Sequence, residues 1–291
     1  MRFIKFLGSN TTYIAWFVLY FSIALFVLGN TFSSFLFLLA VYGVSITVAL
    51  SPIGEMILRI TENCREPLTE QERNYLVPIF EEVYQDAIER EPTLNKGIKI
   101  YIMDAMYVNA FAMGRKTVAV TKGALETFTA DELKGIIAHE LGHITHGHTK
   151  ALLLSLIGNF FFSVLVWIFR LMFLIVQIVS NVVAQVNWLG SMFSIFTFIL
   201  QLFVDLSVLV FVNLSQVILA SNSRTNEIQA DTFAFMIGYG RELTAGLYLI
   251  QKISMNNKLS LSERLKASHP HIAHRIGKLE KLESLALDTT V

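Results

Sequence analysis

The chain has 291 residues, of which 54% are hydrophobic and 16% charged, and its 23 basic and 23 acidic residues give a formal net charge of zero. A balanced charge leaves no electrostatic footprint for a nucleic-acid partner. The single cysteine, Cys64, excludes an intramolecular disulfide framework and suits a reducing compartment.

The apolar residues gather in long blocks, the signature of membrane spans. Residues 12–29 and 32–50 carry no charge and are each about 18 to 19 residues long, the length a span requires. Only Asn30 and Thr31 separate them, so residues 1–50 predict a tight transmembrane hairpin. A cleaved signal peptide fits less well, because the apolar core is too long and no small-x-small site stands clear of the second span. A polar segment, 51–150, follows. Thr69 with Glu72 makes a capping box for a helix over 69–89, which Pro78 is placed to kink. Residues 98–103, 107–111 and 117–120 predict short strands bounded by Gly97, Gly114 and Gly123. Thr129 and Glu132 form a second capping box. The helix they start carries Asp131 and Glu132 in its first turn and Leu133, Ile136 and Ile137 on an apolar stripe.

That helix ends in His139-Glu140-Leu141-Gly142-His143. Positions i and i+4 share a helix face, so His139 and His143 can offer two imidazole nitrogens to one Zn²⁺ while Glu140 stands beside them as a base for water. His146 shares the face as well. Three such histidines cannot all reach one tetrahedral ion from a straight helix, so His146 falls outside the ligand set. The HExxHxxGxxH pattern also fails, because position 146 is His and position 149 is Thr.

A second apolar block, 151–220, is interrupted by Arg170, by Asn181, Gln185 and Asn187, and by Asp205. A ligand beyond this block meets His139 and His143 only after an even number of crossings. Two spans are therefore expected, at about 151–170 or somewhat beyond and at about 191–220 with tilt or an extension outside the bilayer, with 171–189 as extra helix or an interfacial segment. Arg2 and Lys5 precede the first span, ten Lys or Arg lie from Arg59 to Lys134 and nine from Arg224 to Lys281. The proposed outer loops hold at most Arg170, which places the termini and the chemistry in the cytoplasm. Residues 221–291 would then join 51–150 in one composite domain of about 170 residues. Within it, Glu227 and Asp231 lie one helical turn apart. Glu227 is the expected third metal ligand, and Asp231 the acceptor for a ligand histidine's free N–H.

Several spaced motifs agree in order: Asn109-Ala110-Phe111-Ala112-Met113-Gly114, Thr121-Lys122-Gly123-Ala124-Leu125, Ala138-His139-Glu140, Ser223-Arg224 before Glu227, and His269-Pro270 before Arg275-Ile276. Together they make the chain resemble the HtpX branch of integral-membrane zinc metallopeptidases, distant relatives of the CAAX prenyl proteases. The resemblance implies a membrane α-helical protein of four transmembrane helices with a gluzincin-like protease domain, mainly α with a small β-sheet. It implies one zinc held by His139, His143 and Glu227, with Glu140 as general base. The strand at Asn109, Ala110 and Phe111 would border the cleft and pair with an extended peptide. His269 or Arg275 would stabilise the oxyanion. The implied partners are the lipid bilayer and polypeptide substrates, misfolded or damaged membrane proteins cut at the cytoplasmic face of the inner membrane in quality control and stress response. One departure stands out: members of this branch commonly carry an acid five residues after the second ligand histidine, where this chain has His148.

Three other readings compete. Intramembrane proteolysis is disfavoured by Asp131, Glu132, Lys134, His146 and Lys150 around the motif, a neighbourhood costly inside lipid. CAAX processing calls for a sealed lipid-holding chamber with more than four spans. A non-enzymatic scaffold, with Arg170 and Asp205 marking a polar path, has no use for Glu140 beside an open metal position; more simply, Arg170 and Asp205 sit at an interface or pair inside the bundle.

Overall fold

The computed structural model describes residues 31–185, 188–256 and 272–288, together with isolated positions among 15–25. The first expected span, 12–29, therefore lies almost wholly outside the described residues.

Helix α1 (Phe32–Leu50) starts at Thr31, which forms a capping box with Ser34. Ser51 then accepts the Ile53 N–H, and Pro52 occupies the first position of α2 (Pro52–Thr61), where a missing N–H costs nothing. Helix α2 buries Gly54 and Glu55 and turns Ile53, Met56, Ile57 and Ile60 outward. Strand β1 (Cys64–Arg65) follows. Next comes α3 (Glu70–Arg90), capped by Thr69 and Glu72 as expected and continuing through Pro78. Strands β2 (Lys99–Met103), β3 (Ala110–Met113) and β4 (Thr117–Thr121) lead into the short α4 (Lys122–Thr127). Then come α5 (Ala130–His146), α6 (His148–Ala184), α7 (Trp188–Met236), α8 (Gly240–Asn256) and α9 (Ile272–Asp288).

The four strands form one mixed sheet in the order β1-β2-β4-β3. β4 is buried along its whole length and runs parallel to β2 and antiparallel to β3, with Ala110 opposite Val120. On one side of the sheet Leu76 and Phe80 of α3, Leu133, Ile137 and Leu141 of α5, and Leu243 of α8 close the main core. Tyr101, Met113 and Ala119 form a smaller cluster with Phe111 on the other side.

Two strands depart from the sequence reading. The strand expected at 107–111 begins only at Ala110, because Thr121 holds the preceding residues in a turn. Its hydroxyl donates to the Tyr107 carbonyl at 2.6 Å and accepts the Asn109 N–H at 3.0 Å. β1 was not expected, since two residues are too few to show alternation.

In the second apolar block, residues 171–184 take the first of the two expected forms, extra helix: α6 runs unbroken past Arg170, and α7 starts at Trp188 and carries on through Glu227 and Asp231. Arg170 is a good helix former, and its charge is tolerated in the apolar hairpin because its Nε reaches Asp205 at 2.7 Å on the other arm. The polar patch is an interhelical seam: Gln177 donates to Ser194 Oγ at 3.1 Å, and Thr197 donates to Gln177 Oε1 at 2.8 Å. Among the described residues, Phe32–Leu50, Trp167–Ala184 and Trp188–Leu206 are long and apolar enough to cross a membrane.

Candidate metal centre

Helix α5 presents His139 and His143 one turn apart, and α7 lies against it because α5 is narrow there. A Cβ at Gly142 would stand 2.9 Å from the Ala230 Cα. That close approach sets Glu227, one turn before Ala230, opposite both histidines. The Nε2 atoms of His139 and His143 are 3.1 Å apart, and the Glu227 carboxylate oxygens lie 3.4 Å from the first and 3.3 Å from the second. His139 and Glu227 are almost fully buried.

The hydrogen bonds behind these atoms decide which ring nitrogens carry protons. His139 Nδ1–H donates to Asp231 Oδ1 at 2.9 Å. At His143 the partner of Nδ1 is another imidazole, His148 Nδ1, at 3.0 Å, while His148 Nε2–H donates to Gln229 Oε1 at 3.1 Å. With its proton spent on Gln229, the His148 ring accepts at Nδ1, so the His143 proton sits on Nδ1. Both Nε2 atoms then face each other beside a carboxylate. Such a trio needs positive charge among its members, supplied by a proton on His139 in the metal-free chain and by a metal ion in its place. A tetrahedral zinc with bonds of about 2.0–2.1 Å has ligand–ligand edges of roughly 3.3–3.4 Å, which the three observed separations match closely. Among the described residues, His139, His143 and Glu227 form the one cluster of metal-ligating side chains.

Charge tunes these groups strongly. Burial and the Arg275 guanidinium push the His139 pKa down, but the carboxylates of Asp231 and Glu227 outweigh them and raise it to about 9. Metal binding would displace that proton. Burial raises the Asp231 carboxyl, yet His139 and Arg275 bring it down to about 2, so it stays ionised. His148 is driven down to about 3 by burial and by the neighbouring His143, which keeps it neutral.

Arg275 of α9 donates from Nε and Nη2 to Asp231 at 2.8 and 2.7 Å, and its Nη1 pairs with Glu227 at 2.7 Å. It thereby clamps two carboxylates on α7. It also lines a cavity of about 100 Å³ bounded by Asn109 and Ala110 on one side and by Ile136, Glu140 and Leu247 on the others. Glu140 is buried beside His139 in this wall. Among the described residues β3 pairs with β4 alone, so it forms an edge of the sheet beside the cleft.

Most of the sequence-expected residues meet here: His139, Glu140, His143, Glu227, Asp231, Arg275, Asn109 and Ala110. The Phe111 side chain does not, because strand alternation turns it to the opposite face, against Tyr101 and Met113. His269 lies outside the described residues. His146 is not among the donors; its Nδ1 lies 2.9 Å from the Gly142 carbonyl, and its ring stacks on His148. The sequence reading missed the roles of His148 and Gln229. The available signal was the histidine standing where the resemblance implies an acid.

The model of peptidase family M48 matches residues 70–283. Protease HtpX of Shewanella loihica is 27% identical over 281 residues, 89% of this chain and 93% of that protein. Protease HtpX of Pseudomonas paraeruginosa is 31% identical over 141 residues, 45% of this chain and 46% of that protein, so this match covers about half of the relative's length. The crystal structure of S. mikatae Ste24p has the same fold, with a TM-score of 0.52 at 19% identity over 95% of this chain and 65% of that one. Since the family match runs from the start of α3 into α9 and encloses all three metal-ligating side chains, the chain belongs to peptidase family M48.

Proposed function

We propose that this chain is a membrane-anchored zinc endopeptidase that cuts misfolded or damaged membrane proteins at the cytoplasmic surface of the inner membrane. The observation that carries the reading is the convergence of two imidazole nitrogens and a carboxylate beside Glu140, in a cleft bordered by an edge strand. The position of the centre supports a membrane substrate, since α5 passes through Gly147 directly into the apolar α6.

Zinc held by His139, His143 and Glu227 supplies, when bound, the Lewis acidity that activates water and polarises a peptide carbonyl. The remaining steps fall to the protein. Glu140 takes the proton of the attacking water and returns it to the departing amine. The edge of β3 from Ala110 pairs with the main chain of an extended substrate, which tolerates varied side chains. Asp231 and His148 each accept the Nδ1–H hydrogen bond of one ligand histidine, turning Nε2 toward the metal position. Arg275 steadies both carboxylates through its present contacts. Its further role as donor to the oxyanion requires Nη1 to leave Glu227 as charge builds on the carbonyl oxygen.

Zinc-dependent casein cleavage by detergent-purified protein tests the reading. Glu140→Gln should keep its zinc and lose roughly 10²–10⁴-fold in rate, while Glu227→Ala should lose the zinc itself. Full zinc in Glu227→Ala would overturn the ligand assignment, and undiminished cleavage by Glu140→Gln would overturn the mechanism.

A further inference from the structure

A second cavity lies away from the metal centre, where the apolar helices leave the folded domain. Its volume is about 430 Å³. Leu50 and Pro52 at the α1–α2 junction and Leu153 of α6 supply its apolar wall, and Ser51, Asn95 and four cations, Arg59, Lys96, Arg115 and Lys116, line the rest, with Arg59 Nη1 donating to the Tyr101 hydroxyl at 2.6 Å. Glu55 is the carboxylate in this lining, and its oxygens are already engaged. It accepts the backbone N–H groups of Arg115 at 3.0 Å and Lys116 at 3.1 Å and the Thr117 hydroxyl at 2.6 Å. The turn that carries two of the cations is thus rigid. Gly114 stands there at φ 60°, where a Cβ would lie 2.5 Å from Glu55 Oε2, and Asn95 donates to the Arg115 carbonyl at 3.3 Å. Four positive charges against one leave the cavity suited to an anion.

An independent feature sets its depth relative to the membrane. Helix α2 starts one residue after the apolar α1 ends, and its outward stripe of Ile53, Met56, Ile57 and Ile60 is 54%, 46%, 42% and 67% exposed. The i, i+3, i+4, i+7 spacing makes one continuous apolar face directed away from the domain. A helix of this kind lies in the plane of the membrane interface with its apolar face among the upper acyl chains. The cavity on the other side of α2 then sits at headgroup level, where anionic lipids concentrate.

We propose that this cavity binds the headgroup phosphate of an anionic phospholipid, whose chains run down the apolar surface of α1 from Leu50 while the phosphate lies among Arg59, Lys96, Arg115 and Lys116.

The test uses the full chain in neutral detergent, titrated with phosphatidylglycerol or phosphatidylcholine and read by native mass spectrometry of retained lipid. Phosphatidylglycerol should be retained in preference, and Arg115→Gln with Lys116→Gln should weaken its binding by roughly thirtyfold, about fivefold per cation removed. Lys278→Gln with Lys281→Gln, on α9, should leave it unchanged. Equal zinc content in all variants shows that the fold is intact. The proposal is overturned if the two lipids bind alike, if the Arg115/Lys116 variant retains phosphatidylglycerol as well as the parent does, or if the α9 variant loses it equally. Glycerol phosphate added to phosphatidylcholine micelles distinguishes the source. Binding as tight as that of phosphatidylglycerol would identify a soluble phosphate ligand and overturn the lipid assignment, whereas much weaker binding supports it.

Discussion

At His143 the free ring nitrogen meets a neutral imidazole instead of a carboxylate, and the orientation of that imidazole depends in turn on Gln229. Partners behind a ligand histidine typically contribute 10- to 100-fold to metal affinity. His148→Phe keeps a ring but cannot accept a proton, so its zinc dissociation constant should rise by about 10–100-fold in chelator competition. His148→Asp should restore affinity to within a few-fold, because a carboxylate accepts the same N–H. Parent-like affinity in the Phe variant would show that this bond does not orient His143. Acid stability offers a second check. The folded His148 has its pKa near 3 against an ordinary value of 6.5, so between these values the unfolded chain binds the extra proton. The metal-free protein should therefore lose stability as pH falls from 6.5 toward 3, and His148→Phe should lose less over that window in thermal melts. His139, Glu140 and His143 were legible in the sequence because their chemistry follows from spacing within one helix. Glu227 and Asp231 needed only the further idea of an even number of crossings. The Arg275 clamp was not legible, since it depends on how α9 docks against α7, 44 positions from Asp231.

At the scale of elements, two glycines of α5 set the distances between helices. Gly142 admits the backbone of α7 at Ala230. Two turns earlier, Gly135 admits α8, where an added Cβ would stand 2.2 Å from the Leu243 nitrogen. A methyl group at position 142 must push α7 outward and carry Glu227 away from the histidine pair. Gly142→Ala should cost about 1–3 kcal/mol by overpacking and should lower zinc affinity along with stability. Unchanged zinc binding in that variant would mean that α7 is positioned by other contacts. The capping boxes at Thr69 and Thr129 formed as read, because capping is a local matter of four residues. The start of β3 did not, because Thr121, eleven residues beyond Ala110, decides where that strand begins. The pairing of Arg170 with Asp205, 35 positions away, was one of the readings open in the sequence, whereas the choice of continuous helix over an interfacial segment for 171–184 depends on how the two arms pack.

On the scale of the whole molecule, the proposed orientation makes the folded domain and both ends of the α6–α7 hairpin share one side of the membrane. In a Cys64→Ser background, cysteines at Ser51, Lys116 and Lys278 should be labelled by an impermeant reagent from the cytoplasmic side alone. Labelling of Lys278 from the opposite side would require an odd number of crossings and separate Glu227 from the histidines. The hairpin itself is long: α6 spans about 55 Å and α7 about 73 Å at 1.5 Å per residue, against a hydrocarbon layer of about 30 Å. Its two arms are joined to the metal centre differently. The histidine helix meets α6 at Gly147, which sits at φ 76° in the left-handed region, whereas α7 reaches Glu227 without a break. One arm is thus bent at its junction and the other is continuous. If a thicker or thinner bilayer changes the hairpin's tilt, the continuous arm should carry the motion to the carboxylate. A lipid bilayer of graded thickness would then act as a tuning screw on the third ligand, read as a changing rate of cleavage of a soluble unfolded peptide; a flat rate would reduce the hairpin to a tether.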